Sequence, residues 1–239
     1  LAKSLSEHFY PPIFLRFPAL IRLVHGWNGL FFPRNWLTCN ALRRLLPTLT
    51  PGALVLDAGC GEGQHLFVFA RKFPQLRFLG VDKNEAHVNF CKAFAWRSGL
   101  KNLEFLHQDL IAISLENQVD VLLCIGTLQY VENDWRALRI FRKALKINGS
   151  LLLYVPANGR TVLPFYRYFF DRLDHYEKSQ QRRRIYSPQE ILEKIAAAGL
   201  TVRQQKFTHG WLGILSHEVY SLLLMGVGNG GWAGAAIFG

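Results

Sequence analysis

From residue 53 onward the chain alternates short, continuously apolar runs with amphipathic segments. Runs apolar on both faces mean strands buried on both faces, so helices must cover each side of the sheet. Strands are predicted over residues 53–56, 77–81, 103–107, 119–125 and 150–155. Helices are predicted over 64–72, 85–97 (stopped by Gly99) and 135–146. This order predicts an α/β chain: a Rossmann-like, doubly wound, mostly parallel sheet with helices on both faces. Ligands of such sheets bind at the carboxyl ends of the strands, near the switch point. The site is therefore expected just after residues 56, 81, 107 and 124.

Two other regions depart from this rhythm. Residues 1–50 are expected to form a helical, aromatic cap segment carrying Phe9, Tyr10, Phe14, Phe17, Trp27, Phe31, Phe32 and Trp36. Pro11, Pro12, Pro18 and Pro33 break it into short pieces. A helix over 35–46 is predicted, with Asn35 as N-cap and Leu37, Ala41, Leu42 and Leu45 on one face. Residues 51–239 are expected to form the main domain, with a substrate-cap insertion at about 156–186. That insertion carries Tyr166, Tyr168, Phe169, Phe170, His175, Tyr176 and the run Arg182-Arg183-Arg184. Ser187-Pro188-Gln189-Glu190 then predicts a helix start, with Ser187 as N-cap and Pro188 first in the helix. The helix should run to Ala198 and close at Gly199. Alternation over 201–208 predicts a further strand. Residues 219–239 hold no charged side chain and are long enough to span a bilayer. Gly226, Gly228, Gly230, Gly231 and Gly234 make them a poor helix, which favours a terminal strand or a membrane-adjacent segment.

The formal net charge is +11, which favours anionic partners: nucleic acid, an anionic membrane surface or an acidic small molecule. A plain solvated basic surface is the alternative. The four cysteines, Cys39, Cys60, Cys91 and Cys124, show no C-x-x-C spacing, and no metal site is expected. Free thiols in a reducing cytoplasm are the simplest account. Residues 1–10 carry Lys3 and Glu7 and lack the pattern of a secretory signal.

Four segments carry the expected chemistry. Asp57-Ala58-Gly59-Cys60-Gly61-Glu62-Gly63 follows a buried strand and opens a helix. Its glycines permit a tight turn and close approach of a ligand to the backbone. Asp57 and Glu62 would oppose a pyrophosphate, which such loops often hold, and suit a ligand with a positive ammonium and sulfonium. The spacing is G-x-G-x-G, unlike the dinucleotide fingerprint. Gly80-Val81-Asp82-Lys83 places an acid at the end of the second strand, where it can accept both ribose hydroxyls or merely cap a helix. Gln108-Asp109-Leu110 follows the third strand, where Asp109 can take an adenine amino group or simply form a turn. The fourth segment emerges at Cys124 and turns through Gly126, Thr127, Gln129 and Tyr130, facing the first loop.

In this order the four segments resemble the class I S-adenosylmethionine-dependent methyltransferases, of the small-molecule type that includes ubiquinone and menaquinone methyltransferases. The similarity continues through Trp135-Arg136-Ala137-Leu138 and residues 145–153, and more loosely through 186–208. The resemblance implies S-adenosyl-L-methionine as cofactor. Gly59, Gly61 and Gly63 would line its methionine part, with Cys60 in the same loop, and Asp57 would orient the ammonium. Asp82 would hold the ribose with Lys83 beside it, and Asp109 the adenine with backbone contact from Leu110. Cys124 would lie beside the methionine part through its backbone.

Two departures stand out. Gln129-Tyr130 replaces the Glu-His that relatives often have, and Ile147-Asn148 replaces a Pro-Gly. The first removes a candidate base, so no catalytic residue is assigned. His175, Tyr176, Tyr130 and His209 are candidates for a base, against packing or surface roles for each. The expected function is methyl transfer to a small, apolar or lipid-like acceptor in the cytoplasm, with peripheral membrane contact. A nucleic-acid methyltransferase is the alternative, although no Asn/Asp-Pro-Pro-Tyr/Phe segment follows the fourth strand. A non-catalytic S-adenosylmethionine-binding protein is another.

Overall fold

The computed structural model describes residues 33–156, 162–165 and 184–208, together with Leu215 and Val219. Helix α1 spans Pro33–Leu45 and strand β1 Leu54–Ala58. Then come α2 (Gln64–Lys72), β2 (Arg77–Asp82), α3 (Glu85–Arg97) and β3 (Leu103–His107). After them lie β4 (Val119–Ile125), α4 (Asp134–Ala144), β5 (Leu145–Tyr154) and α5 (Pro188–Ala197). Among the described residues the sheet order is β3-β2-β1-β4-β5 and every pairing is parallel. The chain winds outward from β1 in one direction through β2 and β3, then crosses back to β4 and β5. The switch point therefore lies between β1 and β4.

Strand β1 is buried along its whole length, as its uninterrupted apolar run requires. One core forms where α1, α2 and α3 cover the sheet, from Leu42, Leu46, Phe67, Phe69, Phe94 and Phe105. The rings of Phe67 and Phe94 meet edge to face at 4.4 Å. The opposite core joins Leu56 and Leu122 to Leu138 and Phe141 of α4, Ile191 of α5 and the buried Tyr186. Local polar chemistry sets the helix starts. Asn84 Oδ1 accepts from the backbone N–H groups of Ala86 and His87, Asn133 Oδ1 from Arg136, and Ser187 Oγ from Glu190. The cap expected at Ser187 is the one observed.

Three expectations need correction. Asn35 is not a cap: α1 begins at Pro33, and Asn35 is buried within the first turn, its Oδ1 without a hydrogen-bond partner. Proline suits a helix start because it has no N–H there to leave unpaired. Strand β5 begins at Leu145, earlier than the predicted 150, through an irregularity between Val119 and Val121. Lys146 Nζ bonds both oxygens of Asp120 at 2.8 Å there, and Asp120 Oδ2 also accepts from Leu54 N. Residues 201–207 are exposed and form no strand. Alternation sets which way side chains point, but a strand also needs a partner edge to satisfy its backbone.

Candidate cofactor-binding site

Residues 59–63 turn sharply at the carboxyl end of β1. Gly59, Gly61 and Gly63 have φ of +88°, +51° and +71°, where side chains other than glycine are strained. The turn is tied to β2. Gly59 N and Cys60 N both donate to Val81 O, at 2.8 and 3.1 Å. Asp82 clamps it further: Oδ2 accepts from Gly61 N and Oδ1 from Asn84 N, each at 2.8 Å. Each oxygen keeps a lone pair for another donor. The three glycines differ in role. A Cβ at Gly61 would meet open space. One at Gly63 would stand 2.9 Å from Phe67 and 3.2 Å from the sulfur of Cys91, so Gly63 serves the packing of the loop on the core.

Asp57 is 2% exposed beneath this turn. Burial, and then the charge of Asp82, push its carboxyl up to about 7. The thiols of Cys60 and Cys91 both reach Gly61 O, at 3.6 and 3.5 Å. Burial pushes both thiols well above their usual range, and pushes that of Cys124 up to about 12. These thiols are neutral packing groups and poor nucleophiles.

The other expected contacts lie at neighbouring strand ends. Lys83 is exposed, and its carbonyl lies 3.0 Å from His107 Nε2. Asp109 Oδ1 accepts from Ile111 N and starts a short turn of 3₁₀ helix, Leu110–Ala112. Leu110 is buried in the core. The loop after β4 closes on the first loop: Thr127 Oγ1 donates to Gly59 O at 3.2 Å, and Gly126 N to Tyr154 O at 2.9 Å. Gln129 Nε2 donates to Gly126 O, while its buried Oε1 has no partner. Tyr130 is half-buried in the next 3₁₀ turn.

Arg34 is the residue that sequence reasoning missed. Its guanidinium lies 5.9 Å from the centre of the Tyr154 ring, and Nη1 would be 2.9 Å from a Cβ at Gly126. A cation thus stands at the ends of β4 and β5 with no carboxylate partner among the described residues. An arginine in a first helical turn carries no local signal of a contact so distant in sequence.

The segment expected to cap the site starts and ends at one point. Tyr186 N donates to Pro156 O at 3.1 Å. The Tyr186 hydroxyl donates to Asp134 Oδ2 at 3.1 Å, and the same oxygen takes Arg184 Nη1 at 2.6 Å and Lys194 Nζ at 2.7 Å. Burial pushes the Asp134 carboxyl up, but the bonds from Lys194 and Arg184 outweigh it and hold the group below its usual range. Arg184 is committed to this ion pair. Arg182, Arg183, His175, Tyr176, His209 and the aromatic residues before Pro33 lie outside the described residues. Among the described residues no acid, cysteine and histidine cluster could hold a metal ion, and no helix is long and apolar enough to cross a membrane.

A family model described as a methyltransferase domain matches residues 49–205. The trans-aconitate 2-methyltransferase of Deinococcus radiodurans is 34% identical over 117 residues, covering 49% of this chain and 43% of that protein. The chain thus spans less than half the length of that curated relative. The phosphoethanolamine N-methyltransferase 2 of Haemonchus contortus, solved with S-adenosyl-L-methionine, superposes with a TM-score of 0.62 at 18% identity, covering 79% of this chain and 42% of that one. The geranyl diphosphate C-methyltransferase of Streptomyces coelicolor A3(2), solved with S-adenosyl-L-homocysteine, gives 0.58 at 19% identity, covering 70% and 61%. With the five-stranded parallel sheet and the glycine turn clamped by Asp82, these matches lead to one conclusion: the chain belongs to the class I S-adenosylmethionine-dependent methyltransferase family.

Proposed function

We propose that this chain binds S-adenosyl-L-methionine and transfers its methyl group to a small, apolar or lipid-like acceptor. The observation that carries the reading is buried Asp57 coupled to Asp82 beneath a left-handed glycine turn. Two carboxylates repel a pyrophosphate and suit a ligand bearing an ammonium and a sulfonium. Space is open over Gly61, and Gln129 Oε1 is a buried acceptor without a donor, so the residues present fit such a ligand.

When bound, the sulfonium supplies an already activated methyl group. The chain holds and orients its partners. Asp82, with Lys83 beside it, takes the ribose hydroxyls, and Asp109 and Leu110 bound the adenine. The backbone of Gly59, Cys60, Gly61 and Gly63, with that of Cys124, borders the methionine part, and Asp57 balances its ammonium. Arg34 takes the methionine carboxylate. Alignment of an acceptor by such groups lowers much of the barrier.

Calorimetry with S-adenosylhomocysteine tests the core of this reading. Asp82→Ala removes a charged acceptor of two ribose hydrogen bonds and the anchor of Gly61, and should weaken binding about 100-fold. A wild-type chain that does not bind would sink the reading. Arg34→Gln should weaken S-adenosylhomocysteine about tenfold and leave 5′-methylthioadenosine, which lacks the carboxylate, unchanged. Equal losses for both ligands would remove Arg34 from that role.

Aromatic residues in 1–50 and in the insertion after β5 support an apolar acceptor. The names of the relatives, trans-aconitate, phosphoethanolamine and geranyl diphosphate methyltransferases, point to small acceptors bearing acid groups. Transfer of labelled methyl to a lipid extract rather than to RNA would support it, and transfer to RNA alone would overturn it. Four free thiols fit a cytoplasmic location.

A further inference from the structure

A cleft of about 700 Å³ runs along the outer face of α4, lined by Trp135, Arg136, Arg139, Ile140, Arg142 and Lys143, with no residue of the glycine turn in its lining. Helix α4 buries Ala137, Leu138, Phe141 and Ala144 against the sheet. That packing leaves Arg136, Arg139, Arg142 and Lys143 exposed on the other side, with Trp135 41% exposed at its first turn. Lys143 pairs with Glu116. The three arginines, spaced every third residue, have no carboxylate partner among the described residues.

We infer that the outer face of α4 docks on an anionic lipid bilayer, its arginines meeting phosphate headgroups and Trp135 entering the interfacial layer. Charge complementarity accounts for the arginines, since polybasic surfaces bind anionic leaflets. Trp135 and the partly buried Ile140 beside them favour lipid over nucleic acid, because amphipathic rings settle at the headgroup level. The inference does not depend on the acceptor, and vesicle binding can fail while cofactor binding stands.

Co-sedimentation of the full chain with phosphatidylcholine vesicles, with and without phosphatidylglycerol, tests it. The wild type should bind only the anionic vesicles and release at high salt, where charges are screened within about 3 Å. Arg136→Gln/Arg139→Gln/Arg142→Gln should lower the partition coefficient about 100-fold. Arg136→Gln/Arg139→Gln, which keeps the bond from Arg142 Nε to Gly199 O, should lower it about 20-fold. Both variants should bind S-adenosylhomocysteine as the wild type does, which shows that they fold. Undiminished binding of the variants to anionic vesicles would overturn the assignment. So would a wild type that ignores charge, or one that retains tRNA but no vesicle.

Discussion

Gly59→Ala should unfold the chain about 10 °C earlier than wild type and abolish S-adenosylhomocysteine binding. The added Cβ would stand 2.2 Å from Thr127 Cγ2, 2.3 Å from Thr127 Oγ1 and 2.6 Å from Thr127 Cβ. No rotamer change relieves the last of these contacts, because Cβ is fixed to the backbone. The loop after β4 must retreat, and it takes the bond from Thr127 Oγ1 to Gly59 O with it. Overpacking of this kind costs about 1–3 kcal/mol, and the left-handed backbone of Gly59 adds about 1–2 kcal/mol for any residue with a Cβ. A sum of about 3 kcal/mol corresponds to about 10 °C in a chain of this size. Gly61→Ala isolates the backbone share, since a Cβ there meets open space. Its midpoint should fall by only about a third as much. Gly59→Ala/Thr127→Gly should recover part of the loss by removing the clash. Equal midpoints for Gly59→Ala and Gly61→Ala would show that the two loops are not in contact as described.

Asp57→Asn should stabilise the ligand-free chain above neutral pH while weakening the cofactor. The carboxyl of Asp57 is held near 7, first by burial and then by Asp82. Below about pH 4, folded and unfolded chains both carry the proton and the residue contributes nothing to the balance. Between about 4 and 7 the folded chain keeps a proton that the unfolded chain has lost, so stability falls as pH rises. Above about 7 the whole penalty is in place, with a ceiling of about 4 kcal/mol from the size of the shift. Thermal midpoints of Asp57→Asn and wild type should therefore coincide near pH 4 and separate by several degrees at pH 8, with the variant higher. A cationic ligand reverses the preference, because it favours the ionised carboxylate. Affinity of the wild type for S-adenosylmethionine should rise through pH 7 and then level off, whereas Asp57→Asn should show no such rise. A pH-independent wild type would detach Asp57 from the ammonium.

The strands were legible because each obeys a rule that acts within a few residues. Residues 103–107 and 119–125 are bounded by turn chemistry and filled with apolar side chains, and the structure places β3 and β4 over those residues. The glycine turn was legible because positive φ leaves little choice of residue at Gly59 and Gly61. The strand predicted over 201–208 was not sound, because alternation alone does not supply a partner edge. The expected cap at Asn35 failed for a similar reason, since a good capping residue is still free to be buried within the first turn of a helix that starts at proline.

The sequence by itself determined the α/β alternation, the glycine turn after β1, and the placing of Asp57 and Asp82 near the ends of β1 and β2. These follow from burial on both faces of a parallel sheet and from glycine conformations, which leave a local trace. Only the tertiary structure decided that Thr127 closes on Gly59, that Arg34 stands against Gly126 and Tyr154, and that Arg184 and Lys194 are committed to Asp134. Each of those contacts joins residues far apart in the chain. Their energies depend on distance and burial in the folded state, and nothing in the neighbouring residues records them.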